Sequence, residues 1–197
     1  MMKINYLEIK TKSIEILIPF ALYWFFIGFM SLIPDVQSKD LTYYLFLPAG
    51  VKLFSVLIFR INGAVGIALA VFLRLMLTNP SQLWFGCLVI SIVLTLALYV
   101  VVEGALQLFR VERNLSNLNY YQIVGLAFIS SVVNGFLFSY VASAFGISQM
   151  SSGLWHKGAE VVLGNFAGNA AFVCLVMFLF KHKNFVTTLI KIKIDRN

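Results

Sequence analysis

The sequence predicts an all-α, polytopic integral membrane protein: a helical bundle of about six transmembrane helices with both termini cytoplasmic. Three observations carry this. Of 197 residues, 60% are hydrophobic and 12% charged, and mean hydropathy is +0.90, whereas soluble domains run about half apolar and about a quarter charged. Six stretches, at 14–33, 41–59, 61–77, 83–104, 121–145 and 158–180, approach the roughly 20 apolar residues that a spanning helix needs. Lys and Arg are also distributed unequally. With six spans, Lys3, Lys10, Lys12, Arg60, Arg110, Arg113, Lys181, Lys183, Lys191, Lys193 and Arg196 fall on one side, against Lys39 and Lys157 on the other. Positive flanks stay in the cytoplasm, so the termini belong there and the span number is even.

Residues 1–13 form a cytoplasmic segment, 14–180 a single transmembrane domain and 181–197 a basic cytoplasmic tail. The first apolar run is too long for a signal peptide and lacks a small-x-small cleavage site. Runs such as 88–102 do not alternate polar with apolar residues, which excludes barrel strands. The second span holds Pro48-Ala49-Gly50, and the third opens weakly on Asn62-Gly63. The two fit separate spans or one tightly coupled hairpin. Glu103 closes the fourth span and is expected to pair with loop arginines. The connection 106–120 carries Arg110, Glu112 and Arg113 and reads as a wet loop. The basic tail reads as a stop-transfer anchor. Each cation there contributes about 1 kcal/mol against an anionic leaflet.

Polar residues inside the spans are the informative ones, because they are costly in hydrocarbon and turn towards the bundle interior. Pro48 removes a backbone donor and Gly50 eases a bend, so this segment predicts a kinked or broken helix at mid-membrane. Such backbone occurs where it packs on protein or lines a cavity. Lys52 lies one turn further on, with no acidic residue at its depth. It either snorkels to the cytoplasmic face, or is neutral, or meets water or a small anionic ligand. Arg74, at the outer end of the third span, reads as snorkelling or as part of the outer mouth of a pocket, together with Glu160. Gly164 and Gly168 form a small-xxx-small face for close helix packing or self-association. Asn165 and Asn169 occupy the neighbouring stripe, and Asn134 falls at similar depth. Pro48, Gly50, Lys52, Arg74, Asn134, Asn165 and Asn169 are thus the candidate ligand-binding residues. The plainer reading of the asparagines is interhelical hydrogen bonding.

No catalytic residue, metal site or cofactor is expected. Cys87 and Cys174 stand alone in apolar spans and behave as small hydrophobes. There is no P-loop, HExxH or Gly-x-Ser-x-Gly, and His156 with Glu160 falls short of the three or four ligands of a metal site. Net charge is +7, but in so apolar a chain it points to the bilayer rather than to nucleic acid.

The segment Leu47-Pro48-Ala49-Gly50-Val51, then Leu53, Leu57-Ile58 and Gly63-Ala64-Val65-Gly66-Ile67-Ala68-Leu69, resembles the opening of bacterial integral membrane sensor domains of the MASE type, first subclass. The resemblance covers about 30 residues. It implies a sensory module, here a shortened stand-alone relative, since such domains have about eight spans and precede a kinase or cyclase. In size and span number the chain also resembles the substrate-binding membrane subunits of energy-coupling-factor importers. The expected function is a membrane sensory or ligand-binding module of the bacterial inner membrane, acting through a protein partner or as a homo-oligomer. A small transporter or importer subunit, or an assembly subunit without a ligand, are the alternatives.

Overall fold

Hydrocarbon offers no water to a backbone N–H or C=O, so an apolar chain must satisfy these groups internally, as helix. The computed structural model describes residues 6–33, 44–78, 84–112, 115, 117–146 and 153–181. Among them are five helices and no strand: α1 (Tyr6–Ser31), α2 (Pro48–Thr78), α3 (Trp84–Leu108), α4 (Tyr120–Ala144) and α5 (Leu154–Lys181). All five are long and apolar enough to cross a membrane. This is a multi-pass helical membrane protein. Most of the basic tail, residues 1–5 and the start of the stretch at 41–59 lie outside the described residues.

The outward faces are apolar. Leu17, Phe25, Leu69, Leu96, Val100 and Leu163 are all at least half exposed, as suits contact with lipid tails. Inside, one apolar cluster joins Tyr23, Phe26, Ile67, Ile90 and Phe172, and a second joins Leu53, Val56, Leu98, Val102 and Leu126.

α2 joins the second and third stretches in one element, for which the sequence left open separate spans or one tightly coupled hairpin. It runs helical from Pro48 to Thr78 but is broken at Arg60, whose φ of 52° and ψ of −127° are not helical. Lys52 Nζ and Arg74 both lie over the ring of Phe46, at 5.2 and 4.9 Å from its centroid. In a straight helix these residues would be about 33 Å apart at 1.5 Å per residue, so the chain doubles back at Arg60. Gly63 makes the tight reversal feasible: a Cβ there would run into the carbonyl of Ser55. The first arm, 48–59, is only about 18 Å long, well short of the roughly 30 Å hydrocarbon core. The second arm, 61–78, is the full-length one.

Neighbour contacts fix the directions. Gly66 meets the Ile16 carbonyl and Pro19 while Arg74 reaches Tyr23, so the second arm runs parallel to α1. Gly135 faces Gly158 and Val162, while Asn169 reaches back to Ala127, so α4 and α5 are antiparallel. Gly50 packs on Phe172 and Gly168 on Phe46, which sets the first arm parallel to α5. The start of α1, the Arg60 turn and the ends of α3 and α5 therefore share one end of the bundle.

That end carries the charged ties. Arg60 Nη1 donates to Glu103 Oε1 at 3.0 Å, linking the turn to α3. Asn62 Nδ2 donates to Glu15 Oε2, linking it to α1. Glu103 thus pairs with the arginine of the α2 turn.

Candidate functional site

The site begins where the first arm of α2 begins. Residues 44–47 are not helical, yet Phe46 and Leu47 are buried. Irregular backbone at that depth must be satisfied by protein. The Phe46 N–H donates to the Gly164 carbonyl at 3.0 Å, and the Phe46 carbonyl accepts from Ala49 N–H at 2.9 Å. Gly168 lets this happen: a Cβ there would occupy the position of the Phe46 carbonyl. The sequence marked Gly164 and Gly168 as a face for an approaching helix. What packs there is the non-helical backbone ahead of α2, inside the same chain. Pro48 suits the first position of the arm, where no intrahelical donor is needed. Gly50 gives room to Phe172.

Beside this start lies a cavity of about 10 Å³, enough for about one water. α2 supplies Ala49 and Lys52, and α3 supplies Leu98. α4 supplies Ser130, Ser131 and Asn134, and α5 supplies Asn165 and Asn169. Four residues singled out in three separate spans, Lys52, Asn134, Asn165 and Asn169, therefore converge. Arg74 is outside the lining but close by, donating to Tyr23 Oη at 3.1 Å and lying against Phe46. Glu160 is not part of it. It is partly exposed and pairs along its own helix with His156 at 3.2 Å.

The hydrogen bonds in the cavity wall are unevenly complete. Asn169 Nδ2 donates to Ser131 Oγ at 2.9 Å and to the Ala127 carbonyl at 3.3 Å. Ser131 and Ser130 donate to the same carbonyl. Those bonds orient the Asn169 amide and leave its Oδ1 without a donor. Asn165 Nδ2 likewise has no acceptor. Asn165 and Asn169 are 3% and 2% exposed, so water outside the bundle does not serve them. Buried polar groups are normally paired. Among the described residues only three buried side-chain polar atoms lack a partner, and two of them are these.

Lys52 is 9% exposed, and no carboxylate pairs with it among the described residues. Its ammonium rests over Phe46, a cation–π contact stronger when desolvated but weaker than an ion pair. The wall therefore offers a cation, an unused N–H donor and an unused acceptor within one polar space. No group of three or more potential metal ligands occurs among the described residues.

Sequence reasoning did not single out Phe46 and Tyr23. Both are aromatic residues in apolar surroundings and carry no polar signal. Their part emerges only once the reversal at Arg60 brings Arg74 back beside Lys52.

Fold and site together define a class: a polytopic α-helical membrane protein with a half-length helix starting beside a polar interior cavity. Comparison with protein-family models, curated proteins and solved structures gives no match.

Proposed function

We propose that this chain is a sensory or ligand-binding module of the bacterial inner membrane that acts through a partner protein. In this reading six segments cross or enter the bilayer, the two arms of α2 counting separately, and both termini are cytoplasmic. The observation that carries the proposal is the cavity wall at the start of a broken helix, where Asn165 and Asn169 have unmet polar atoms beside Lys52, with which no carboxylate pairs among the described residues. A lysine near the bilayer centre costs about 3 kcal/mol on insertion scales, and a chain without use for it would do better with leucine. Occupancy would act on the junction between Phe46 and Gly168, where a small shift repositions the whole first arm. A ligand moves such an equilibrium only by its differential affinity for the two arrangements. The resemblance of 47–69 to MASE-type sensor domains supports the same reading.

The experiment is a gentle-detergent pull-down from native membranes, with mass spectrometry of proteins and small molecules. Recovery of a kinase, cyclase or other signalling enzyme, lost with Lys52→Met, is the expected result. Recovery of ATPases with a coupling subunit would replace sensing by import. That second reading is favoured by the broken helix, since discontinuous helices at mid-membrane hold substrates in transporters. Uptake of labelled metabolite into vesicles by the chain alone would decide for transport. No bound small molecule and no ligand-induced stabilisation across a metabolite panel would leave an assembly subunit.

A further inference from the structure

The unmet atoms of the cavity constrain what can enter it. Asn165 Nδ2 is a donor without an acceptor, and Lys52 in the same wall is a cation with no carboxylate partner among the described residues. Asn169 Oδ1 is an acceptor, fixed as such by the two donations of its Nδ2, and needs a donor. The space between them is water-sized, so anything larger must displace a neighbour. The neighbour in position to yield is Phe46. Its ring lies against both Lys52 and Arg74, and it sits on the non-helical stretch ahead of α2 rather than inside a helix.

We propose that the space now held by the Phe46 ring, together with the Lys52–Asn165–Asn169 cavity, is a binding site for a compact hydroxycarboxylate. This rests on the ligand-binding reading above and names the ligand class. The carboxylate takes Lys52 and Asn165, with the Arg74 guanidinium on its far side. The ligand hydroxyl donates to Asn169 Oδ1. Phe46 is the placeholder: its electron-rich face holds the cations until an anion replaces it. Ring and anion compete for the same positive groups, so binding expels Phe46 and pulls on the main-chain bond from Phe46 to Gly164. Carboxylates can come from free metabolites or from lipids. The cavity is water-sized and six of its eight lining residues carry polar side chains, which commits the proposal to a short soluble acid.

The test uses the full-length chain in detergent and reads thermal stability against glycolate, acetate, octanoate and ethylene glycol, with sodium chloride at matched ionic strength. Glycolate should stabilise saturably. Acetate should bind about tenfold more weakly, the worth of one hydrogen bond. Chloride and ethylene glycol should do nothing specific. Phe46→Leu should tighten glycolate binding, and Lys52→Met should abolish it. Asn169→Leu should erase the preference for glycolate over acetate while acetate binding persists, which a merely misfolded variant would not do. Glycolate behaving like chloride, octanoate outdoing glycolate, or undiminished binding by Lys52→Met would each overturn the proposal. Should glycolate fail while another metabolite stabilises the chain in a Lys52-dependent way, the ligand class falls and the ligand-binding reading stands.

Discussion

α2 starts from non-helical backbone at 44–47 and breaks once, at Arg60, and the two places are held in different ways. At its start, deep in the bundle, the non-helical backbone of Phe46 is satisfied by another main chain, the Gly164 carbonyl, and the nearby cations rest on an aromatic ring. At Arg60, near the bundle end, side chains do the work: Arg60 pairs with Glu103 and Asn62 with Glu15. Both places press a glycine against a carbonyl, Gly168 on Phe46 and Gly63 on Ser55. Depth explains the difference. Ionic side chains near the rim keep part of their hydration, and the Arg60 and Glu103 side chains are 25% and 28% exposed. In the interior an ion pair would bear desolvation on both partners, so backbone bonds and a π face serve instead.

The sharpest way to break the deep interruption is Gly168→Ala. The added methyl meets the Phe46 and Leu47 backbone rather than the end of a flexible side chain, and destabilisation of about 3 kcal/mol is expected from overpacking at its upper range. Reversible unfolding in mixed micelles reads it. A loss below about 1 kcal/mol would mean that residues 46–47 do not sit on α5. Next comes Asn169→Leu. It removes the donations to Ser131 and Ala127 but also removes an unpaired oxygen, so a loss of about 1–2 kcal/mol follows.

The rim should be more forgiving. Glu103→Gln keeps size and removes charge, for about 0.5–1 kcal/mol, since partly exposed pairs contribute little. The effect should shrink further in high salt. A loss as large as that of Gly168→Ala would erase the contrast between the two sites. Arg60→Gly has the smallest expected effect. Glycine adopts φ 52° and ψ −127° far more readily than arginine, and this relief offsets the lost ion pair to within about 1 kcal/mol. If Arg60→Gly proves strongly destabilising, the turn is held by the guanidinium and not by its neighbours.

Much of this was legible in the sequence, for physical reasons. Helical class follows from run length and the absence of alternation. Proline chemistry singles out Pro48, which is the first residue of α2 rather than a kink within a span, and Lys52, Asn134, Asn165 and Asn169 stand out because polar groups are rare at such depth. Other features were not legible. Whether 41–59 and 61–77 are separate spans or one tightly coupled hairpin was not settled by the residues, because only Arg60 and Asn62 are polar between the arms of α2 and a reversal that tight needs no loop. The periodicity of Gly164 and Gly168 names a face but not its occupant, and a short non-helical turn leaves no mark there distinct from that of a helix. Glu160 looked like a neighbour of the pocket by depth alone, but His156 one turn away claims it. Phe46 is silent in sequence because an aromatic residue in an apolar run is ordinary.

The bond from Phe46 to Gly164 also orders the birth of the protein. Phe46 leaves the ribosome long before Gly164 and Gly168 exist. Until α5 enters the membrane, the head of the short arm has an N–H with no designated acceptor, and an unsatisfied amide in hydrocarbon costs several kcal/mol. The nascent chain must therefore hold α1 to α4 in a provisional arrangement, and α5 is the piece that locks the first arm in place. Chains halted before α5 should be recognised by membrane proteases as unfinished, although their apolar length is already nearly complete.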